Sequence, residues 1–268
     1  MSPHRLCQLL WIGSLPAILL LPAGWRSLAW TSVTLAFLAL VVWGVVSIRS
    51  PFFGRALVAG TNPGAVALTF DDGPDPRSTP TLLDLLERHG VTATFFVVGE
   101  RVRSHPELAR RCHNAGHELG NHSQRHSPWL NFRLRRGMRS EIAACQEALA
   151  VTIGRRAHYY RPPIGLRNPA VHPVCAELDL CVIGWQVRSL DKSRLTPAAV
   201  VERVLHQVRP GGIVLLHDGG QPSERLLAIT EGILRGLEIR NLRAVSLREL
   251  LGPPVASSSG AGRSTAVT

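Results

Sequence analysis

Between Val66 and Leu251, apolar runs of strand length alternate with helix-length segments, and no other feature of this chain narrows its fold as much. Strands are expected at Val66–Phe70, Ala93–Gly99, Glu118–His122, His158–Arg161, Cys181–Gln186, Ile213–His217 and Arg243–Leu247. Between them, Thr81–His89, Pro106–Ala115, Phe132–Val151, Asn168–Leu178, Pro197–Val208 and Ser223–Arg240 read as helices. In the last of these, Leu226, Leu227, Ile229, Ile233, Leu234 and Leu237 recur on one face. Strand and helix repeated in this way give an α/β fold, a parallel sheet with helical crossovers. Seven strands in one continuous unit favour a barrel, closed or partly open, over a flat sheet.

The first fifty residues have a different character. Leu28–Ile48 carries no charge and is long enough to cross a bilayer, with Trp30 and Trp43 as interface anchors. Cys7–Gly24 is shorter and contains Pro16 and Pro22. It reads as a second span, as half of a helical hairpin, or as the apolar part of a signal segment. The expected organisation is therefore a membrane anchor of one or two transmembrane segments over 1–50, a linker over 51–65, the main domain over 66–251, and a disordered tail over 252–268, rich in Pro, Ser, Gly and Ala. The expected location is the cell (inner) membrane. With two spans, Arg5, Arg49 and Arg55 lie on one side and Arg26 on the other, which puts the main domain in the cytoplasm; a single span can invert this.

A net charge of +11 and a pI of 10.9 suit anionic surroundings, such as phospholipid headgroups or phosphate-bearing substrates. Nucleic acid is not an expected partner, because only 6% of residues are aromatic and no nucleic-acid motif occurs. Cys7, Cys112, Cys145, Cys175 and Cys181 form no CxxC pair and read as small buried hydrophobes. Nothing in the sequence sets the oligomeric state.

The polar groups that stand out fall at strand ends, where parallel barrels gather their chemistry. Leu68-Thr69-Phe70-Asp71-Asp72-Gly73-Pro74 leaves two adjacent carboxylates on the lip of the first strand, followed by a turn. One can bind a metal while the other faces a substrate. His122 and His126, four residues apart, can meet one metal if the backbone turns helically there. Arg161-Pro162-Pro163 follows the fourth strand, and Leu215-Leu216-His217-Asp218 ends the sixth. Singly, each also reads as an ordinary turn, cap or surface group. Jointly and in this order they do not.

Thr69–Pro74, His122–His126, Arg161–Gly165, Trp185–Asp191 and Leu215–Asp218 resemble the successive motifs of the polysaccharide deacetylase family, which includes the rhizobial chitooligosaccharide deacetylases with their NodB-homology domain. The resemblance covers Val66 to Leu251. It implies a distorted, incomplete (β/α)7-type barrel and metal-dependent removal of acyl groups from sugars. Asp72, His122 and His126 would then ligate a divalent cation, most simply Zn2+, with coordination positions left open. Asp71 would be the general base and Arg161 would hold it in place. His217, protonated, would donate to the leaving group. A backbone N–H just after Pro163 would join the metal in stabilising the oxyanion. Trp185 and Leu215 would wall a small pocket for the acyl methyl, with Pro163 and Ile164 beside the sugar.

Two positions depart from that pattern. Ile164 stands where an aromatic residue is common, and Arg188 stands where an aspartate commonly tunes the acid histidine. Asp191 is the one carboxylate between Gly184 and Thr196, so it is the expected partner of His217, with Asp218 as the alternative. Arg188 is expected to point away or toward substrate. The expected substrate is an acylated amino sugar of an envelope glycan or a glycolipid. Arg125, Arg133, Arg135, Arg136 and Arg139 could meet a lipid phosphate or the membrane surface, or form a solvated helix face. The alternatives are removal of formyl from a lipid-linked amino sugar, and a non-catalytic carbohydrate-binding barrel.

Overall fold

The computed structural model describes residues 3–252, so the expected tail falls almost wholly outside the described residues. Helices α1 (Pro3–Leu19) and α2 (Ala23–Val46) form a hairpin in which the Trp11 ring packs on Trp30 and Phe37. Among the described residues, α2 alone is long and apolar enough to cross a membrane, and almost none of it is buried by the rest of the protein. Residues 51–65 lie against the main domain, with Phe52 and Phe53 buried.

The main domain then runs β1 (Ala65–Asp71), α3 (Thr79–Arg88), β2 (Thr94–Val97), α4 (Gly99–Ser104), α5 (Pro106–Asn114), β3 (Glu118–Asn121), a short helical turn (Pro128–Phe132) and α6 (Arg135–Ile153). It continues with β4 (Tyr159–Tyr160), a turn (Pro163–Gly165), α7 (Val171–Glu177), β5 (Cys181–Val182), β6 (Val187–Arg188), α8 (Pro197–Gln207), β7 (Ile213–His217), α9 (Ser223–Ile239), β8 (Arg243–Val245) and α10 (Leu247–Leu251). The strand order is β5-β4-β3-β2-β1-β7-β6, with β8 pairing the first residues of β1. All these pairs are parallel.

The two edges of the sheet, β5 and β6, are consecutive in the chain and joined only by residues 183–186. So short a link forces the sheet to curl until its edges approach, which gives the distorted, incomplete barrel. The remaining gap is spanned by the segment after the anchor: Leu57 bridges Ile183 and Ala59 bridges Gly212. Strand β1 is buried along its whole length, as a central parallel strand covered on both faces must be. Val66, Leu68 and Phe70 join the cluster under the helices, while Ala65 and Ala67 turn to the opposite cluster, following the two-residue period of a strand.

Several boundaries differ from expectation. The described residues form eight strands: the expected strand Cys181–Gln186 ends at Val182, and a further strand, β6, follows it at Val187–Arg188. At the break, a Cβ on Gly184 would sit 2.8 Å from Ile48 and 3.0 Å from Val58, so the chain leaving the anchor crowds this point. The expected strand Arg243–Leu247 stops at Val245, because the Ser246 hydroxyl accepts the Glu249 N–H and starts α10. The expected strand Ala93–Gly99 gives way to α4 at Gly99, a helix whose mostly charged sequence shows no apolar period. The expected helix Phe132–Val151 begins only at Arg135. Cys112, Cys145 and Cys175 are buried as expected, but Cys181 is exposed on an edge strand and Cys7 is half-buried.

Candidate active site

Asp71 is the last residue of β1, and Asp72 follows it with φ 76°. In an extended strand, consecutive side chains point to opposite faces. The left-handed turn at Asp72, which aspartate tolerates better than most residues, lets both carboxylates reach one cleft. Gly73 is required by a close approach: a Cβ there would lie 2.1 Å from Asp218 Oδ2. Asp218 is fully buried; burial pushes its pKa up to about 7 against the hydrogen bond donated by Thr79 Oγ1 at 2.6 Å. Asp218 thus braces the turn and does not touch His217 through its side chain.

His122 and His126 leave the end of β3 on a loop and converge without the helical turn that was the condition for their meeting one metal. Ser123 and His126 adopt φ 68° and 52°, and Ser123 Oγ accepts the His126 N–H at 3.0 Å. His122 Nδ1 lies 2.8 Å from the Arg161 carbonyl, which can only accept, so Nδ1 carries a proton and Nε2 is the nitrogen turned toward the carboxylates. His122 Nε2 is 3.5 Å, and His126 Nε2 3.2 Å, from Asp72 Oδ1. Burial, with repulsion from His122 added, pushes the pKa of His126 down to about 4, so its ring is neutral near pH 7. Asp72 is held well below the usual carboxylate range: burial alone would raise it, and the imidazoles and Lys192 outweigh burial. The ammonium of Lys192 donates to the other carboxylate oxygen, Asp72 Oδ2, at 2.8 Å.

One carboxylate oxygen and two imidazole nitrogens therefore converge within 4.8 Å of one another. Asp72 Oδ1 is buried and accepts no hydrogen bond, although the Nε2 atoms of both histidines lie within 3.5 Å of it. A cation between them would satisfy the unpaired oxygen and both ring nitrogens at once. These donors suit a divalent metal of the kind that takes imidazole and carboxylate together, zinc foremost.

Arg161, fully buried at the end of β4, fixes Asp71 from below. Its Nη1 donates to Asp71 Oδ1 at 2.7 Å and to Thr69 Oγ1 at 2.8 Å, and its Nη2 donates to the Gly184 carbonyl at 2.9 Å. The guanidinium lies over Phe96, 4.1 Å from the ring centroid. Across the cleft, His217 ends β7 and its Nδ1 is 2.9 Å from Asp191 Oδ1. Asp191 is itself held by Ser189 Oγ at 2.9 Å, Gln221 Nε2 at 2.8 Å and the His217 N–H at 2.9 Å. Burial would lower the pKa of His217, but the Asp191 hydrogen bond and charge, with Asp71 and Asp72 beyond, leave it raised.

The cleft has a volume of about 190 Å³ and is lined by Asp71, Asp72, His122 and His126 with Ile164, Gly165, Trp185, Arg188, Lys192, Leu215 and His217. It is smaller than the roughly 300–1,000 Å³ pockets that enclose whole ligands, and suits the reacting edge of a longer molecule. Trp185 and Leu215 both line it, while Pro163 is buried behind Ile164 and Gly165. Ile164 holds φ 61°, a strained value for a β-branched residue, and its side chain is half exposed. Arg188 is exposed at the mouth and points to the cleft, leaving Asp191 free to serve His217. Sequence reasoning missed Lys192, Thr79 and Gln221. Lys192 had one available signal, its position directly after Asp191.

The family model for polysaccharide deacetylase matches residues 59–183. The chitooligosaccharide deacetylase of Sinorhizobium fredii is 39% identical over 178 residues, which cover 66% of this chain and 81% of that protein. A solved peptidoglycan N-acetylglucosamine deacetylase, in complex with a naphthalenyl N-hydroxybenzamide, superimposes with TM-score 0.70 at 30% identity, over 74% of this chain and 92% of that one. A CE4 family pseudoenzyme from Bacillus anthracis gives TM-score 0.68 at 25% identity, over 75% of this chain and 69% of that one.

Proposed function

Because this chain belongs to the polysaccharide deacetylase family, we propose that it is a membrane-anchored carbohydrate deacetylase that hydrolyses the acetamido group of an envelope glycan or a lipid-linked amino sugar. The observation that carries this reading is the convergence of Asp71, the Asp72–His122–His126 set and His217 on one cleft. A pseudoenzyme can share the fold, so the fold alone does not suffice; here the base, the ligand set and the acid are all present. Helix α2 supports the anchor and a cell-membrane location.

Asp72, His122 and His126 would hold a divalent cation, Zn2+ by their chemistry, which when bound supplies Lewis acidity toward the carbonyl and the attacking water. Asp71, held by Arg161, takes the proton from that water as its oxygen bonds to the carbonyl carbon. The N–H of Ile164, a residue lining the cleft, would donate to the developing oxyanion. His217 then gives its Nε2 proton to the leaving nitrogen as the C–N bond breaks, yielding carboxylate and free amine. Trp185 and Leu215 offer apolar walls for a methyl group, which favours acetyl over formyl. Arg188 and Lys192 at the mouth favour a substrate with negative charge nearby.

The test is to treat isolated envelope lipids and glycans with the purified protein and measure the acyl product. Acetate in equal amount to new free amine is expected. Formate would reassign the acyl group, and no acyl product would overturn the activity.

The Asp191–His217 pair makes a second prediction. A histidine whose pKa is raised keeps its proton to higher pH, so the high-pH limb of kcat/KM should lie above the ordinary histidine value of about 6.5. In Asp191→Asn the supporting charge is gone, and the limb should move to lower pH with a rate loss of roughly ten- to a hundredfold. An unmoved limb in a folded, metal-loaded Asp191→Asn protein would show that another group tunes the acid.

A further inference from the structure

The turn Pro128–Phe132, which packs beside the cleft turn Pro163–Gly165, and the residues after it expose three large apolar side chains: Trp129 is 70%, Phe132 78% and Leu134 86% exposed. Trp129 and Phe132 are neighbours, with ring centroids 5.8 Å apart. Exposed apolar residues scattered singly mean little, but a contiguous set calls for something that covers it. This set begins on the turn Pro128–Phe132, directly after the ligand candidate His126.

Two consecutive residues tie that turn to the end of the anchor. Asn168 Nδ2 donates to the Asn131 carbonyl at 2.8 Å, fixing the turn. Arg167, fully buried, donates to the carbonyls of Ser47 and Ser50 at 2.6 Å and of Gly54 at 2.9 Å, and its own N–H donates to the Val45 carbonyl at 3.1 Å. The chain leaving α2 is thus bolted to the domain rather than tethered, and the apolar turn sits beside the exit point of that helix.

We propose that Trp129, Phe132 and Leu134 dock into the headgroup interface of the same bilayer that α2 crosses, so that the cleft opens onto the membrane surface and takes its acyl amino sugar from a lipid-linked molecule. The inference rests on the reading of α2 as a span. The surroundings fit a lipid surface with negative headgroups. Arg133, Arg135, Arg136 and Arg139 are all exposed near these side chains, and among the described residues the acids they meet are Glu141 and Glu177. Two carboxylates, one of them buried, face four exposed guanidinium groups, which leaves excess positive charge for anionic lipid. Tryptophan, with an apolar body and a polar N–H, suits that depth.

The test uses the full-length protein in phosphatidylcholine–phosphatidylglycerol proteoliposomes, with Cys7 and Cys181 replaced by serine. An environment-sensitive fluorophore is placed on one new cysteine at a time, in Leu35→Cys, Phe132→Cys or Ile239→Cys, and quenched by spin-labelled lipids. Ile239, also exposed, ends α9 at the opposite end of the barrel from the cleft. Quenching is expected at 35, and at 132 several-fold more than at 239. Quenching at 35 with 132 no higher than 239 would overturn the docking proposal while leaving the anchor intact. An unquenched label at 35 would remove the anchor and the docking proposal together.

Discussion

Asp71→Asn is expected to bind metal normally and to lose deacetylation by about 10²–10⁴-fold, the usual cost of removing a general base. The side chains are nearly equal in shape, so the hydrogen bond from Arg161 Nη1 at 2.7 Å can persist to the amide oxygen. What disappears is the ability to take a proton from water. The prediction depends on Asp71 lying outside the ligand set: its Oδ2 is 3.7 Å from His122 Nε2, and it is Asp72 that stands 3.2 Å from His126 Nε2. Loss of metal together with activity in Asp71→Asn would move Asp71 into the ligand set. Retained activity would remove it from the reaction.

Removing the cation should cost more. Chelation is expected to abolish turnover and added zinc to restore it, and His122→Ala should behave as the chelated enzyme does. The Lewis acid is worth several kcal/mol of transition-state charge stabilisation, which corresponds to about 10³-fold or more in rate. Once chelated, the site would hold Asp72 with the Lys192 ammonium at 2.8 Å as its remaining strong counter-charge. Lysine can balance charge there, but it offers no open coordination position. Activity that survives exhaustive chelation would contradict this assignment.

Much of this arrangement was legible because parallel-sheet physics is local. Ala65–Asp71 is buried throughout, so its apolar run is continuous, and the carboxylates must come where burial ends. The same logic located His217 at the end of β7. Legibility failed where tertiary contacts decide the backbone. The break at Gly184 answers to Ile48 and Val58, far away in the chain. The left-handed residues Asp72, Ser123, His126 and Ile164 build the site, yet none is a glycine that would mark a positive φ. The His122–His126 spacing alone does not report a loop held by the Ser123 hydroxyl, which brings the two rings together without a helical turn. Arg167 belongs to no motif or apolar period that would mark it in the sequence. Only its burial among three carbonyls shows that it joins anchor and domain.

The central claim is that Asp72, His122 and His126 hold a catalytic cation while Asp71 acts beside it. Metal content per chain, measured by mass spectrometry on purified wild-type, Asp71→Asn and His126→Ala proteins with matched melting temperatures, tests this most directly. The account predicts one ion per chain in wild type and Asp71→Asn, and little or none in His126→Ala. Full occupancy in His126→Ala, or an empty Asp71→Asn protein, would contradict it.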